Sequence, residues 1–284
     1  MDNHMEKHAL IRLKERALKV RGHILGMAAR GGCFVGSALS CTDLVVFLYS
    51  RFLNIAKDNL NDPGRDYLFL SKGHAVPVLY GTFAELGFIH PGRLKNHLST
   101  DDSVYWHPNR DIPGIEFHSG SLGHMLAVAS GVALECKMKK QDNRIVVIVG
   151  DGELNEGSVW EALLIASAYR LDNLVIVVDR NRLQANAGTE DLIPLEPLIP
   201  KLQAFGMSVK SIDGHDFQDM EDVFSNIPFE ADRPGVVIAH TIRGKGLPEI
   251  EDRVDKWFCK YSDEEAGRLI KALKSSNERL LEAI

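Results

Sequence analysis

The chain has 284 residues, 45% of them apolar, 7% aromatic and 25% charged, an ordinary globular profile long enough to bury a sizeable core. A formal net charge of −6 with no basic run excludes nucleic acid as a default partner. The lack of any run of 18 apolar residues excludes a membrane-spanning helix. Met1–Lys7 lacks the apolar core of a signal peptide, and the four scattered cysteines (Cys33, Cys41, Cys136 and Cys259) form no CxxC. Reduced, buried thiols in a cytoplasmic protein are the expectation.

Leu10, Leu13, Ala17, Val20 and Ile24 recur at three- and four-residue steps and predict a helix over 6–29, ended by Gly31-Gly32. Ser40-Cys41-Thr42-Asp43 reads as a capping box that opens an apolar helix through Tyr49. A polar turn at Asn61–Gly64 precedes a short strand, Tyr67–Leu70, and the loop Ser71–Ala75 leads into a helix over about 76–87. Residues 99–124 are rich in Gly, Pro, His and Ser and show no period, which is characteristic of a functional or mobile segment. Strands at 145–149, 174–179, 207–212 and 235–240 then alternate with helices at 158–169, 196–205 and 216–226, and a C-terminal helical extension runs from about 262. That alternation predicts the α/β class, a doubly wound parallel sheet with helices on both faces, in a single domain over 1–284.

The most informative run is Gly150-Asp151-Gly152-Glu153-Leu154-Asn155-Glu156-Gly157, with Asn181 about 30 residues after the aspartate. Ile145–Val149 reads as a central strand buried on both faces, so Asp151 projects from its carboxyl end, where open α/β sheets place ligands. Gly150 and Gly152 allow the sharp turn and a close approach. The second apolar run, Leu174–Val178, ends in Asp179-Arg180-Asn181-Arg182-Leu183-Gln184. A carboxylate and an amide oxygen at neighbouring strand ends suit Mg²⁺ or Ca²⁺, which take hard oxygen ligands.

The segment Gly150–Gln184 resembles the thiamine-diphosphate (ThDP) motif, and its Glu-Gly and Trp-Glu-Ala continuation is similar to that of the transketolase family. The resemblance covers roughly residues 10–260. It implies a PP-type, diphosphate-binding domain whose metal is held by Asp151, Asn181 and the Leu183 carbonyl. Ser71-Lys72-Gly73-His74 resembles the family's S-x-GH loop, and His107-Pro108 its HP segment. Both imply histidines beside cofactor and substrate, and so a catalytic role for His74 and His107 on a sugar or sugar-phosphate substrate. Ser119-Gly120-Ser121-Leu122-Gly123 resembles the turn in which Gly120 and Leu122 present backbone to the aminopyrimidine ring. Glu156, to which the resemblance also gives a catalytic role, and on the next helix turn Glu161, fall where family members link two cofactor sites across an interface between chains.

Two residues depart from the family pattern: Phe34 and Phe258 stand where family members carry histidines. Two phenyl rings in place of two imidazoles predict a pocket with fewer donors beyond the two-carbon unit, and thus an altered donor or acceptor. The family's pyrimidine-binding domain, with its activating glutamate, has no counterpart after residue 240. The resemblance therefore implies a split enzyme in which this chain is the N-terminal subunit. A separate C-terminal-type chain would complete each site, with self-association in an α₂β₂ assembly. Its activity would be transfer of a two-carbon ketol unit from a ketose to an aldehyde. The alternatives are the α subunit of a 2-oxo acid dehydrogenase and a non-catalytic paralogue acting through partner binding.

Overall fold

A computed structural model describes residues 5–282. Residues 1–4 and 283–284 of the expected 1–284 span lie outside the described residues. The sheet is built from β1 (Tyr67–Leu70), β2 (Ile145–Gly150), β3 (Leu174–Arg180), β6 (Ser208–Asp213) and β7 (Gly235–His240), all parallel, in the order β1-β2-β3-β7-β6. Between β3 and β6 a two-residue antiparallel hairpin, β4 (Leu183–Gln184) with β5 (Ala187–Gly188), stands apart from the sheet.

Alternation along the strands divides the apolar side chains into two cores. Val146, Ile148, Val175, Val177 and Val237 point to one face, whereas Ile145, Val147, Val149, Leu174, Ile176, Val178, Val236 and Ile238 point to the other. The first face is covered by α1 (Lys7–Ala28), α2 (Val35–Ser40), α3 (Thr42–Phe47), α4 (Pro77–Leu86), α9 (Phe217–Phe224) and α10 (Asp263–Glu282). The second is covered by α5 (Met125–Met138), α6 (Gly157–Ala168) and α8 (Leu198–Ala204), with α7 (Thr189–Leu192) following β5. The whole of β3 is buried, as its unbroken apolar run requires for a central strand.

The sequence expectation misses α5, whose residues are apolar nearly all round: Val128, Val132 and Leu134 are partly buried beside the buried Leu126, Ala129 and Ala133, so the pattern carries little period. The capping box at Ser40 is corrected. Ser40 ends α2, Cys41 holds the N-cap position of α3 with no side-chain cap, and the Ser40 hydroxyl donates instead to Asp179 Oδ2, 2.6 Å away. The hydroxyl is shared between this tertiary carboxylate and the Ser37 carbonyl 2.9 Å away, and caps nothing in α3.

The first core contains a buried ionic knot. Arg21 on α1 donates to both carboxylate oxygens of Asp43 on α3 at 2.9 and 2.7 Å, and His215 Nδ1 reaches Asp43 Oδ2 at 2.8 Å. Backbone N–H of Ile242 donates to His215 Nε2 at 2.9 Å, so Nδ1 carries the proton that faces the carboxylate. Burial alone would raise the Asp43 pKa, but Arg21 and His215 hold it well below the usual carboxylate range. Because the folded-state pKa is depressed, the stabilisation is complete above the unfolded value of about 4 and is lost as pH falls below it. Urea midpoints measured from pH 7 down to pH 3 should fall over the acid limb, and Asp43→Asn should flatten that limb while lowering stability at pH 7.

The irregular segment 99–124 carries neither helix nor strand, as expected, yet it is firmly tied. Glu116 receives two hydrogen bonds from Arg65 at 2.6 and 2.9 Å, Asp102 receives Arg93, and Ser119 Oγ donates to the Leu70 carbonyl at 2.8 Å. The Glu116 pair ties the segment beside the residues that precede β1, and Ser119 brings its far part to the carboxyl end of that strand.

Candidate active site

Parallel register sets the site. Gly150 is paired with Asp179, so the chain leaving β2 at Asp151 emerges beside the chain leaving β3 at Arg180 and Asn181. Asp151 is buried, with Oδ1 accepting from Gly152 N at 2.8 Å and Oδ2 from Arg182 N at 2.6 Å and Arg180 Nη1 at 3.1 Å. Burial, then the nearby Asp179, raise its pKa to about 6 despite Arg180. Asn181 donates through Nδ2 to Asp179 Oδ2 at 3.3 Å, and its Oδ1 accepts from Leu183 N at 3.0 Å. Asp151 and Asn181 thus meet at one corner without bonding to each other.

Among the described residues no cluster of three or more His, Cys, Asp or Glu is arranged to hold a metal. A cation here would rely on the Asp151 carboxylate with neutral oxygens, the Asn181 amide and the Leu183 carbonyl. That donor chemistry suits Mg²⁺ or Ca²⁺, and a cation's charge would favour the ionised Asp151 carboxylate that burial disfavours.

Beneath this corner lies a fully buried ion pair. Lys72 Nζ contacts Asp179 Oδ2 and donates to the Ser37 carbonyl at 3.1 Å, while Thr241 and Ser40 hydroxyls also donate to Asp179. Burial opposes ionisation of both groups, but each holds the other charged. Asp179 in turn orients the Asn181 amide, leaving Oδ1 as its acceptor end.

His74 follows Lys72 by two residues, with its Nε2 2.9 Å from Ser37 Oγ. Burial, with Lys72 and then His107 adding to it, pushes its pKa down to about 3; burial also lowers that of His107. Both imidazoles are therefore neutral at pH 7 and available to donate or accept. The loop carrying His74 lies on the turn at Ser119-Gly120, and Gly120 (φ +154°) lies under His107. A Cβ there would come within 2.9 Å of the His107 ring, so only glycine fits. Leu122 is partly buried, and its carbonyl accepts from His124 Nδ1 at 2.9 Å. Tyr105, His107, His118 and Gly120 line an adjoining cleft of about 540 Å³.

Two residues with clear roles in this geometry escaped the sequence reading. Glu153 is buried, and its carboxylate accepts from Ser71 Oγ, from Gly123 N at 2.8 Å and from Gly150 N at 3.1 Å. It therefore joins the three motif segments in one knot, and its place inside the Gly-Asp-Gly-Glu run was the available signal. Arg243 is 2% exposed, with Nη1 donating to the Ala185 carbonyl at 2.6 Å and Nε without a partner. Burial lowers its pKa, and only its position before the Lys245-Gly246 pair hinted at it.

Glu156 is exposed at the N-terminus of α6 and makes no cap bond, and Glu161 is exposed one turn on. Leu164, Ile165 and Tyr169 continue along that helix at 56%, 52% and 54% exposure, an apolar surface unusual for a face left to solvent.

The chain matches the family model for the thiamine diphosphate-binding domain of transketolase over residues 23–275. It is 38% identical over 248 residues to an apulose-4-phosphate transketolase subunit from Actinobacillus succinogenes, covering 87% of this chain and 89% of that one. It is 36% identical to a 6-deoxy-6-sulfo-D-fructose transketolase subunit from a Clostridium species, covering 81% and 84%. The crystal structure of transketolase from Campylobacter jejuni superposes with a TM-score of 0.80 at 26% identity, over 95% of this chain but only 48% of that one. The chain belongs to the transketolase family, as a thiamine diphosphate-binding domain. The family model and both relatives are those of transketolase, which favours that family over the 2-oxo acid dehydrogenase alternative. The two relatives are subunits of about this chain's length, whereas the Campylobacter chain is about twice as long.

Proposed function

We propose that this chain is the N-terminal subunit of a split, ThDP-dependent transketolase-type enzyme that moves a two-carbon ketol unit from a ketose to an aldehyde. The observation that supports the reading is the parallel register that sets the strand end carrying Asp151 beside the one carrying Asn181, with the neutral imidazole of His74 on the loop that follows the neighbouring β1. ThDP, when bound, supplies the centre that stabilises a carbanion at the donor's former carbonyl carbon. Asp151, Asn181 and the Leu183 carbonyl would hold the Mg²⁺ or Ca²⁺ that neutralises its diphosphate. Gly120 and Leu122 would offer backbone to the aminopyrimidine. His74 and His107 would donate to the substrate's carbonyl and hydroxyl oxygens and carry the proton that moves between them as the carbon–carbon bond breaks. Ser37 fixes the His74 ring for that task.

The rest of each site would come from a separate pyrimidine-binding subunit, within an α₂β₂ assembly in the cytoplasm. In this reading residues 1–284 form one diphosphate-binding domain with a C-terminal helical extension. The exposed α6 face with Glu156, Glu161, Leu164, Ile165 and Tyr169 would be covered by another chain of the assembly. Leu164→Asp combined with Ile165→Asp should reduce the sedimenting species by at least one subunit, with the helical circular dichroism signal unchanged.

Calorimetric titration of ThDP with Mg²⁺ tests the proposal, first on this chain alone and then on its mixture with a pyrimidine-domain chain from the same organism. Weak binding alone and tight binding in the mixture are expected, because half of the cofactor's contacts lie on the partner. No binding and no ketol transfer in the mixture would refute it.

A further inference from the structure

One wall beside His74 is built from aromatic rings. Phe34 lies 5.3 Å from the His74 ring, 5.0 Å from Trp257 and 5.3 Å from Phe258, centroid to centroid. Trp106 follows at 6.1 Å from Phe258, and Tyr105 at 5.5 Å from Trp106. Tyr105 in turn lines the cleft that holds His107 and Gly120, so the rings run from one histidine round to the other.

The backbone fixes this wall. Cys33 and Cys259 exchange both of their backbone hydrogen bonds, at 3.0 and 2.9 Å. That bridge locks their neighbours, Phe34 after the first cysteine and Phe258 before the second, into one unit. Gly32 (φ +96°) precedes the bridge, and a side chain there would run into the Phe258 ring. The Trp106 indole N–H is already committed to the Gly32 carbonyl at 3.3 Å. Phe258 remains 39% exposed and Tyr105 49%, a large apolar area to leave open next to two neutral imidazoles.

The ring wall offers carbon where a polyol needs partners. A hydroxyl buried against it without a partner costs on the order of tenfold in affinity, whereas an alkyl or aryl group gains from the same burial. We propose that Phe34, Trp257 and Phe258 determine specificity, selecting acceptors whose carbons beyond the carbonyl bear alkyl or aryl groups rather than hydroxyls. This rests on the ketol-transfer reading. In the exchange one carbon–carbon bond of the donor breaks and one forms to the acceptor's carbonyl carbon. The acceptor oxygen gains the proton that the donor hydroxyl gives up, so no oxidant or reductant is needed.

The test uses the assembled enzyme with ThDP, Mg²⁺ and hydroxypyruvate as ketol donor, which releases carbon dioxide and takes up one proton per transfer. Propanal and D-glyceraldehyde serve as acceptors equal in carbon number. We expect kcat/KM for propanal to exceed that for D-glyceraldehyde at least ~10-fold, since the second acceptor leaves two hydroxyls against the rings. Phe34→His with Phe258→His should shift that ratio at least ~10-fold toward D-glyceraldehyde, and Phe34→Leu, which stays apolar, should preserve it. Preference of the wild-type enzyme for D-glyceraldehyde overturns the proposal, as does an unchanged ratio in a double variant that still binds ThDP. If hydroxypyruvate is not consumed with either acceptor, the ketol-transfer reading itself falls, and the acceptor assignment with it.

Discussion

Asp151→Asn should abolish the Mg²⁺ dependence of ThDP binding and with it ketol transfer by the assembled enzyme. The amide keeps the shape and its single oxygen can still accept from one of the two backbone donors, Gly152 N or Arg182 N, which bond to different oxygens of the carboxylate, so part of the turn's bonding is kept. What disappears is the carboxylate charge, and among the described residues no cluster of further acidic or imidazole ligands stands by to replace it. Losing even an outer-shell partner costs a metal site ~10–100-fold in affinity, and a charged ligand should cost more. The Arg180 guanidinium retains Glu190 and Glu196, so the loss should be functional rather than global. Calorimetry at several Mg²⁺ concentrations reads the effect. An unchanged Mg²⁺ response would place the cation elsewhere.

Lys72→Met should produce the largest loss of stability, about 3–5 kcal/mol, because it leaves Asp179 charged and unpaired in a dry interior. Adding Asp179→Asn should restore most of it, since removing both charges removes the uncompensated one. Urea midpoints of the wild type, both single variants and the double variant measure the coupling. A double variant no more stable than Lys72→Met would show that the damage came from lost packing of the lysine stem instead. The restored double variant should still bind ThDP poorly, because Asp179 also orients the Asn181 amide.

The parallel sheet was legible chiefly through β2 and β3, whose apolar, mostly β-branched runs only a doubly covered strand can bury. The Asp151 and Asn181 corner was legible for a related reason: both residues end such runs, and parallel register places strand ends side by side. The helix α5 escaped because an element apolar nearly all round carries no period to read. Ser40 was misread because Ser-x-x-Asp before an apolar run describes a local cap, while the hydroxyl's carboxylate partner, Asp179, lies 139 residues away. Glu153 and the Lys72–Asp179 pair are of the same kind. Their distant partners, Ser71 and Gly123 in the case of Glu153, are chosen by tertiary packing, and short-range patterns hold no record of that choice. Phe34 and Phe258 could be marked as departures, but their contact with each other and with Trp257 needed coordinates.

The pairing of Cys33 with Cys259 also bears on how the site comes into being. It joins a segment near the start of the chain to one near its end, a closure among the slowest a folding chain makes. The corner where Asp151 and Asn181 meet, with the Lys72, Ser40 and Thr241 groups that brace Asp179 beneath it, is drawn wholly from residues that precede Trp257. A chain emerging during synthesis would therefore hold its cofactor corner before its aromatic wall. Truncation before Trp257 should leave a protein able to present Asp151 and Asn181 but with one side of the substrate cleft open to water, so cofactor capture and acceptor choice become separable in time.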